Sequence, residues 1–253
     1  MIHVPTAPWV HLVFDLLAWA SGLGLGVVLY RWRLRGMTAA IAAKVGGGYF
    51  VALTAGAGIG AWLAGSLNTL RGDDPALSHS VAGALAGAIV GVELYKVVRG
   101  IKGSTGGVFV GSFTLGVVIG RWGCFFAGLA DQTYGIPTAL PWAVDLGDGI
   151  GRHPVQLYES AAMAVFLLVY LLALWQRAAW ATSRAFYVMC AWYGIQRFGW
   201  EFLKPYPPLL GPFNVFHLLC LGLAAYGSRF AFNDWRQPRD RALSVPGPDN
   251  QPV

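Results

Sequence analysis

Apolar positions in this chain run in long blocks, with polar residues gathered between them. Seven blocks cover residues 9–29, 39–67, 79–98, 106–129, 156–176, 185–203 and 213–232. A helix of about 20 mostly apolar residues spans the hydrocarbon core of a bilayer, so each block predicts one crossing. The second block exceeds that length and is expected to tilt or to include an interfacial turn. The first lacks the Lys/Arg-rich start of a signal peptide and reads as a retained span. The pattern predicts an all-α polytopic membrane protein with seven transmembrane helices. Residues 1–242 form a single membrane domain with an irregular cap around 130–155, and the tail 243–253, which contains Pro and Asp, is expected to be disordered. No internal repeat is visible.

Composition sharpens this picture. Hydrophobic residues make up 56% of the 253 positions and charged residues only 12%, against roughly 25% charged in soluble domains. A water-soluble globule and a disordered chain are both excluded. Three cysteines exclude a disulfide scaffold. The net charge of +6 is explained by one-sided loops. Arg31, Arg33, Arg35, Lys44, Lys96, Arg99, Lys102, Arg177, Arg184, Arg229, Arg236, Arg239 and Arg241 follow odd-numbered spans, whereas Arg71, Arg152 and Lys204 lie on the other side. The positive-inside rule puts the N-terminus outside and the C-terminus in the cytoplasm. No nucleic acid is needed to account for the charge. Glycines at 83, 87 and 91, at 107 and 111, and at 116 and 120 have the four-residue spacing that lets helices approach closely in a bilayer.

Against this apolar background the buried charges stand out. An arginine within a span costs about 2.5–3.5 kcal/mol on insertion scales, which marks it as functional. Arg121 and Arg197 both lie about two turns from the outer end of their spans, and Glu201 follows Arg197 at i+4. With Glu159, His153, His79 and His217 they are expected to converge at the outer leaflet. Two guanidinium forks at headgroup depth suit phosphate oxygens, and a phospholipid delivers a phosphate there. The competing reading is a pair of structural ion pairs, Arg121–Glu159 and Arg197–Glu201. Glu93 reads as a local partner of Lys96, and Asp15 as a site member or a helix contact. Cys124, one turn from Arg121, reads as a small packing residue or a nucleophile. With no His-x-x-x-His or Cys-x-x-Cys spacing, no metal site and no cofactor are expected.

Three stretches resemble the prolipoprotein diacylglyceryl transferase family. Gly120-Arg121-Trp122-Gly123-Cys124-Phe125 is similar to the family's Gly-Arg-x-Gly-Asn-Phe. Arg152-His153-Pro154-Val155-Gln156-Leu157-Tyr158-Glu159 matches its His-Pro-x-Gln-Leu-Tyr-Glu. Tyr193-Gly194 through Arg197, Glu201 and Phe202 resembles the arginine segment of its sixth helix. The resemblance implies transfer of a diacylglyceryl group from phosphatidylglycerol to the lipobox cysteine of a prelipoprotein, at the outer leaflet of the bacterial inner membrane, with glycerol phosphate released. It implies that Arg121 and Arg197 hold the phosphate, that Glu201 orients Arg197, and that His153 or Glu159 is the base. Arg152, Gln156, Tyr158, Gly120, Gly123, Tyr193, His79 and His217 would then line the substrate site.

This chain departs from the family where the signature continues Asn-Phe-x-Asn-Gly-Glu: it reads Cys124-Phe125-Phe126-Ala127-Gly128-Leu129. The family's His-Gly-Gly is replaced by Val81-Ala82-Gly83, with His79 two residues earlier, and an acidic position by Gly107. The expected partners are therefore phosphatidylglycerol, the bilayer, and a prelipoprotein signal peptide or another acceptor such as a glycan or small molecule. A lipid-binding or transport protein without chemistry is the reading from a different class.

Overall fold

The computed structural model describes residues 1–70 and 77–233. Arg71, Arg236, Arg239, Arg241 and the tail 243–253 lie outside the described residues. Helix α1 (Val10–Leu29) does not end at the first basic cluster. It continues through a π-helical turn, Tyr30–Leu34, into α2 (Arg35–Ala42). Arg31, Arg33 and Arg35 therefore ride on a helix rather than in a loop, and residues 39–42 belong to this first helix. Helix α3 (Gly47–Thr69) begins after the extended Gly46. The break was hidden from hydropathy because Val45 and three glycines follow Lys44. Glycine interrupts a helix through backbone freedom without interrupting an apolar run.

Helix α4 (Val81–Arg99) opens with Ser80, whose hydroxyl accepts the Gly83 N–H at 3.2 Å, and closes at Gly100 with φ of +65°. Helix α5 (Val110–Ala127) is flanked by 3-10 turns at Gly107–Phe109 and Gly128–Asp131. Helices α6 (Val155–Trp175), α7 (Trp180–Ser183), α8 (Ala185–Glu201) and α9 (Val215–Asn233) complete the chain. Six helical stretches are long and apolar enough to cross a membrane. The sixth expected span, 185–203, corresponds to α8, whose 17 residues include Arg197 and Glu201 and which is not among those six.

The long helices pack in pairs, α1 with α5, α3 with α4, α8 with α9, and α5 with α6. Leu12, Leu16 and Leu17 of α1 point outward, as a bilayer solvent permits. The interior is built from Val110, Val117, Met163, Phe166, Tyr170, Met189 and Tyr193 of α5, α6 and α8. The α3–α4 crossing is backbone on backbone: a Cβ placed on Gly87 would collide with the Gly56 carbonyl oxygen.

Between α5 and α6 a small three-stranded sheet covers one end of the helices. Strand β1 (Ile2–His3) runs parallel to β2 (Val144–Asp145), which pairs antiparallel with β3 (Gly151–Arg152). Asp145 ties its hairpin: Oδ1 accepts backbone N–H groups from Gly147, Asp148 and Gly149, and Oδ2 lies 2.8 Å from His3 Nδ1. The Gly147 N–H above all, with that of Gly149 and the His3 side chain, holds this carboxyl below the usual aspartate range.

Candidate active site

The strongest charges in the molecule meet where α5, α6 and α8 converge. Glu159, one turn into α6, is fully buried and bridges two arginines. Its Oε2 lies 3.0 Å from Arg121 Nε, and its Oε1 accepts from Arg197 Nη1 at 2.8 Å. Arg197 Nη2 lies 3.2 Å from Glu201 Oε1, which also receives Lys204 Nζ at 3.0 Å. Arg197 Nη1 further donates to Tyr193 Oη at 3.2 Å, and the guanidinium sits 5.3 Å from the Phe216 ring. Both pairs read from the sequence are present, and Glu159 joins them into one network.

The network carries three cations against two carboxylates. It therefore holds one positive charge beyond its own pairing, in a site from which water is largely removed. Burial pushes the Lys204 ammonium below the ordinary lysine range, opposed by the Glu201 carboxylate. Arg121 Nη1 donates to Cys124 Sγ at 3.6 Å, and its Nη2 has no hydrogen-bond partner among the described residues. Arg197 Nε is buried and unpartnered as well. Both donors are left over by the network's own pairing.

Both arginines line a cavity of about 1300 Å³ bounded by α1, α3, α4, α5 and parts of α8 and α9. It is larger than the roughly 300–1,000 Å³ of pockets for drug-sized ligands. Its walls are mostly apolar: Leu23, Leu53, Ile89, Val117, Phe113 and Met189 among them. His79 and Gly120 also line it. At Gly120 a Cβ would meet nothing within 4 Å, so the absent side chain widens the cavity rather than admitting a neighbouring helix. Gly123 does the reverse: a Cβ there would lie 2.8 Å from Phe14 Cβ, so this glycine sets the α1–α5 approach.

Other residues expected at the site are engaged elsewhere. His153 Nδ1 lies 3.4 Å from Tyr158 Oη, which accepts from Trp142 Nε1 at 2.7 Å, and Tyr158 leans on the Trp200 ring. Neither His153 nor Tyr158 borders the cavity. Arg152 Nη1 pairs with Asp148 at 2.7 Å within the cap. His217 closes a reciprocal N-terminal box: its Nδ1 accepts the Asn214 N–H and its own N–H donates to Asn214 Oδ1. Its ring is held among Phe198, Phe202 and Phe213. Gln156 is buried and reaches Thr133 Oγ1 at 3.5 Å. Sequence reasoning did not single out His11, Asp131 or Lys204 for the site. The i+3 offset of Lys204 from Glu201 and the i+4 offset of Asp15 from His11 were the local signals available.

The fold and site define a helical membrane protein with a buried arginine–carboxylate network beside a large, mostly apolar cavity. The match to the family model of prolipoprotein diacylglyceryl transferase spans residues 17–232, and the chain belongs to that family. It is similar to phosphatidylglycerol–prolipoprotein diacylglyceryl transferases of Finegoldia magna (33% identity, 47% of this chain, 46% of the relative) and Nitratidesulfovibrio vulgaris (35%, 51% and 48%). The similarity to that of Thermosynechococcus vestitus is 30%, over 63% of this chain and 65% of the relative. The chain thus spans about half to two thirds of the length of these relatives. No solved structure matches it.

Proposed function

We propose that this protein transfers the diacylglyceryl group of phosphatidylglycerol to the lipobox cysteine thiol of a prelipoprotein, at the outer leaflet of the bacterial inner membrane. The observation that carries this reading is the pair of buried guanidiniums bridged by Glu159 at the wall of the cavity. In the proposed complex the acyl chains lie along the apolar walls, and the phosphate meets Arg121 Nη2 and Arg197 Nε. Attack of the acceptor sulfur on the glycerol carbon breaks the carbon–oxygen bond to phosphate. Negative charge then grows on the leaving glycerol phosphate, where donors fixed in advance are most effective. Glu159 is a positioning residue in this scheme, holding both guanidiniums without occupying their free N–H groups. Family membership and the relatives' names support the donor and the acceptor.

The replacement of the motif's two amides and carboxylate by Cys124, Ala127 and Leu129 favours one second reading, the same donor with a different acceptor. Purified protein incubated with phosphatidylglycerol and a lipobox peptide separates the two by mass spectrometry. A thioether-linked diacylglyceryl peptide is the expected product. Glycerol phosphate release without modified peptide would favour another acceptor, and lipid binding without turnover would remove both readings.

A further inference from the structure

Next to the arginine network, three residues far apart in the chain bring different donor atoms together. They are His11 of α1, Cys124 of α5 and Asp131 of the following 3-10 turn, and their side-chain donors lie within 4.8 Å of one another. His11 Nε2 is 3.6 Å from Cys124 Sγ and 3.1 Å from Asp131 Oδ1. The other ring nitrogen, Nδ1, faces Asp15 Oδ2 at 2.9 Å. All four residues line the cavity.

His11 Nε2 faces a carboxylate oxygen and a sulfur at once, and Nδ1 faces a second carboxylate. The sulfur is also reached by Arg121 Nη1. An imidazole nitrogen, a sulfur and a carboxylate oxygen from three separate segments thus converge at one place on the cavity wall, which is the kind of donor set a transition metal takes.

The donor set selects the metal. Imidazole, thiolate and carboxylate together suit zinc, whereas magnesium and calcium take oxygen ligands. Tetrahedral zinc, with bonds of about 2.0–2.3 Å, spaces its ligand atoms roughly 3.3–3.6 Å apart, close to the two distances measured to His11 Nε2. The His11–Asp15 contact is the outer carboxylate–histidine pairing that fixes the tautomer of a metal-bound imidazole. Three protein ligands with a fourth position open is the pattern of a catalytic rather than a structural zinc site.

We propose that His11, Cys124 and Asp131 bind a zinc ion whose open position takes the acceptor thiol. This proposal rests on the transfer reading above. On coordination the acceptor thiol releases its proton to water and becomes a zinc-bound thiolate. The sulfur electron pair forms the bond to the glycerol carbon, and the electron pair of the carbon–oxygen bond leaves with glycerol phosphate. Arg121 links the two centres, touching Cys124 with Nη1 and Glu159 with Nε. Nucleophile and leaving group are thereby held on neighbouring sides of one guanidinium.

The test uses the full chain in detergent, stripped with a chelator and titrated with cobalt(II). One equivalent is expected to bind, with a sulfur-to-cobalt charge-transfer band that zinc abolishes. Cys124→Ala removes the band, Cys190→Ala keeps it, and Asp15→Asn weakens binding about 10- to 100-fold. No band in the unsubstituted protein, or a band that survives Cys124→Ala, overturns the metal site. Cobalt binding without any thioether product would leave the site standing and sink the transfer reading. Undiminished thioether formation by metal-free protein would do the opposite.

Discussion

Between α3 and α4 two backbones nearly touch, with Gly87 against the Gly56 carbonyl and Gly83 against that of Gly60. Between α5, α6 and α8 the joint is ionic, with Glu159 held by Arg121 and Arg197. The glycine seam has no hydrogen-bonding demand of its own, so it can sit anywhere in a bilayer. The ionic joint is costly to bury, and buried ion pairs are weak evidence for stability. Its location at the cavity wall, with donors left over, is what a binding site requires and a mere helix clamp does not. On the proposed function, the difference separates a scaffold contact from a functional one.

Breaking the ionic joint is expected to have the largest effect. Glu159→Ala leaves two guanidiniums without their shared carboxylate and should destabilise the fold by about 3–5 kcal/mol, read as a lowered unfolding midpoint in detergent together with lost transfer. An unchanged midpoint would mean that the joint is more open than its burial indicates. On the glycine side, Gly87→Val forces two methyl groups toward a backbone oxygen that has no rotamer to retreat into. Overpacking of this kind costs about 1–3 kcal/mol, and the same midpoint measures it. Tolerance of valine would show that the α3–α4 crossing can slide.

Smaller effects probe the periphery of both regions. Asn214→Ala removes half of the box that starts α9 and should cost about 1 kcal/mol, with transfer by the folded fraction unchanged. Acid acts on the cap. The carboxyl of Asp145 is held below its unfolded value, so its contribution is present above that value, about 3.9, and is lost as pH falls through the lower folded one. Amide exchange at residues 144–152 should accelerate in that acid range in the unsubstituted protein, whereas Asp145→Asn should exchange fast at neutral pH already.

Much of the helical layout was legible because long apolar runs have few alternatives in a chain so poor in charge. The break at 43–46 was foreseen only as a turn somewhere in the overlong second block, and its position was not legible, since glycine counts as neither polar nor apolar in such a reading. Arg31, Arg33 and Arg35 read as a loop for the related reason that hydropathy registers charge and not backbone conformation. At the site, Arg121, Glu159, Arg197 and Glu201 were visible as isolated charges in apolar blocks, and the structure draws these four together. His11 and Asp131 were not, because a distance of 113 residues separates His11 from Cys124 and only the α1–α5 approach at Gly123 closes it. Tyr158 entered through a motif, and the motif says nothing of the turn that sets it against Trp142 and His153.

The central claim is that the paired guanidiniums stabilise charge on a departing phosphate. The direct measurement is the rate of thioether formation by Arg121→Lys at saturating phosphatidylglycerol, beside the unsubstituted protein. Lysine keeps the charge but loses the fork, so the rate is expected to fall by about 10²–10³ while the unfolding midpoint moves far less than in Glu159→Ala. A rate equal to that of the unsubstituted protein would contradict the claim.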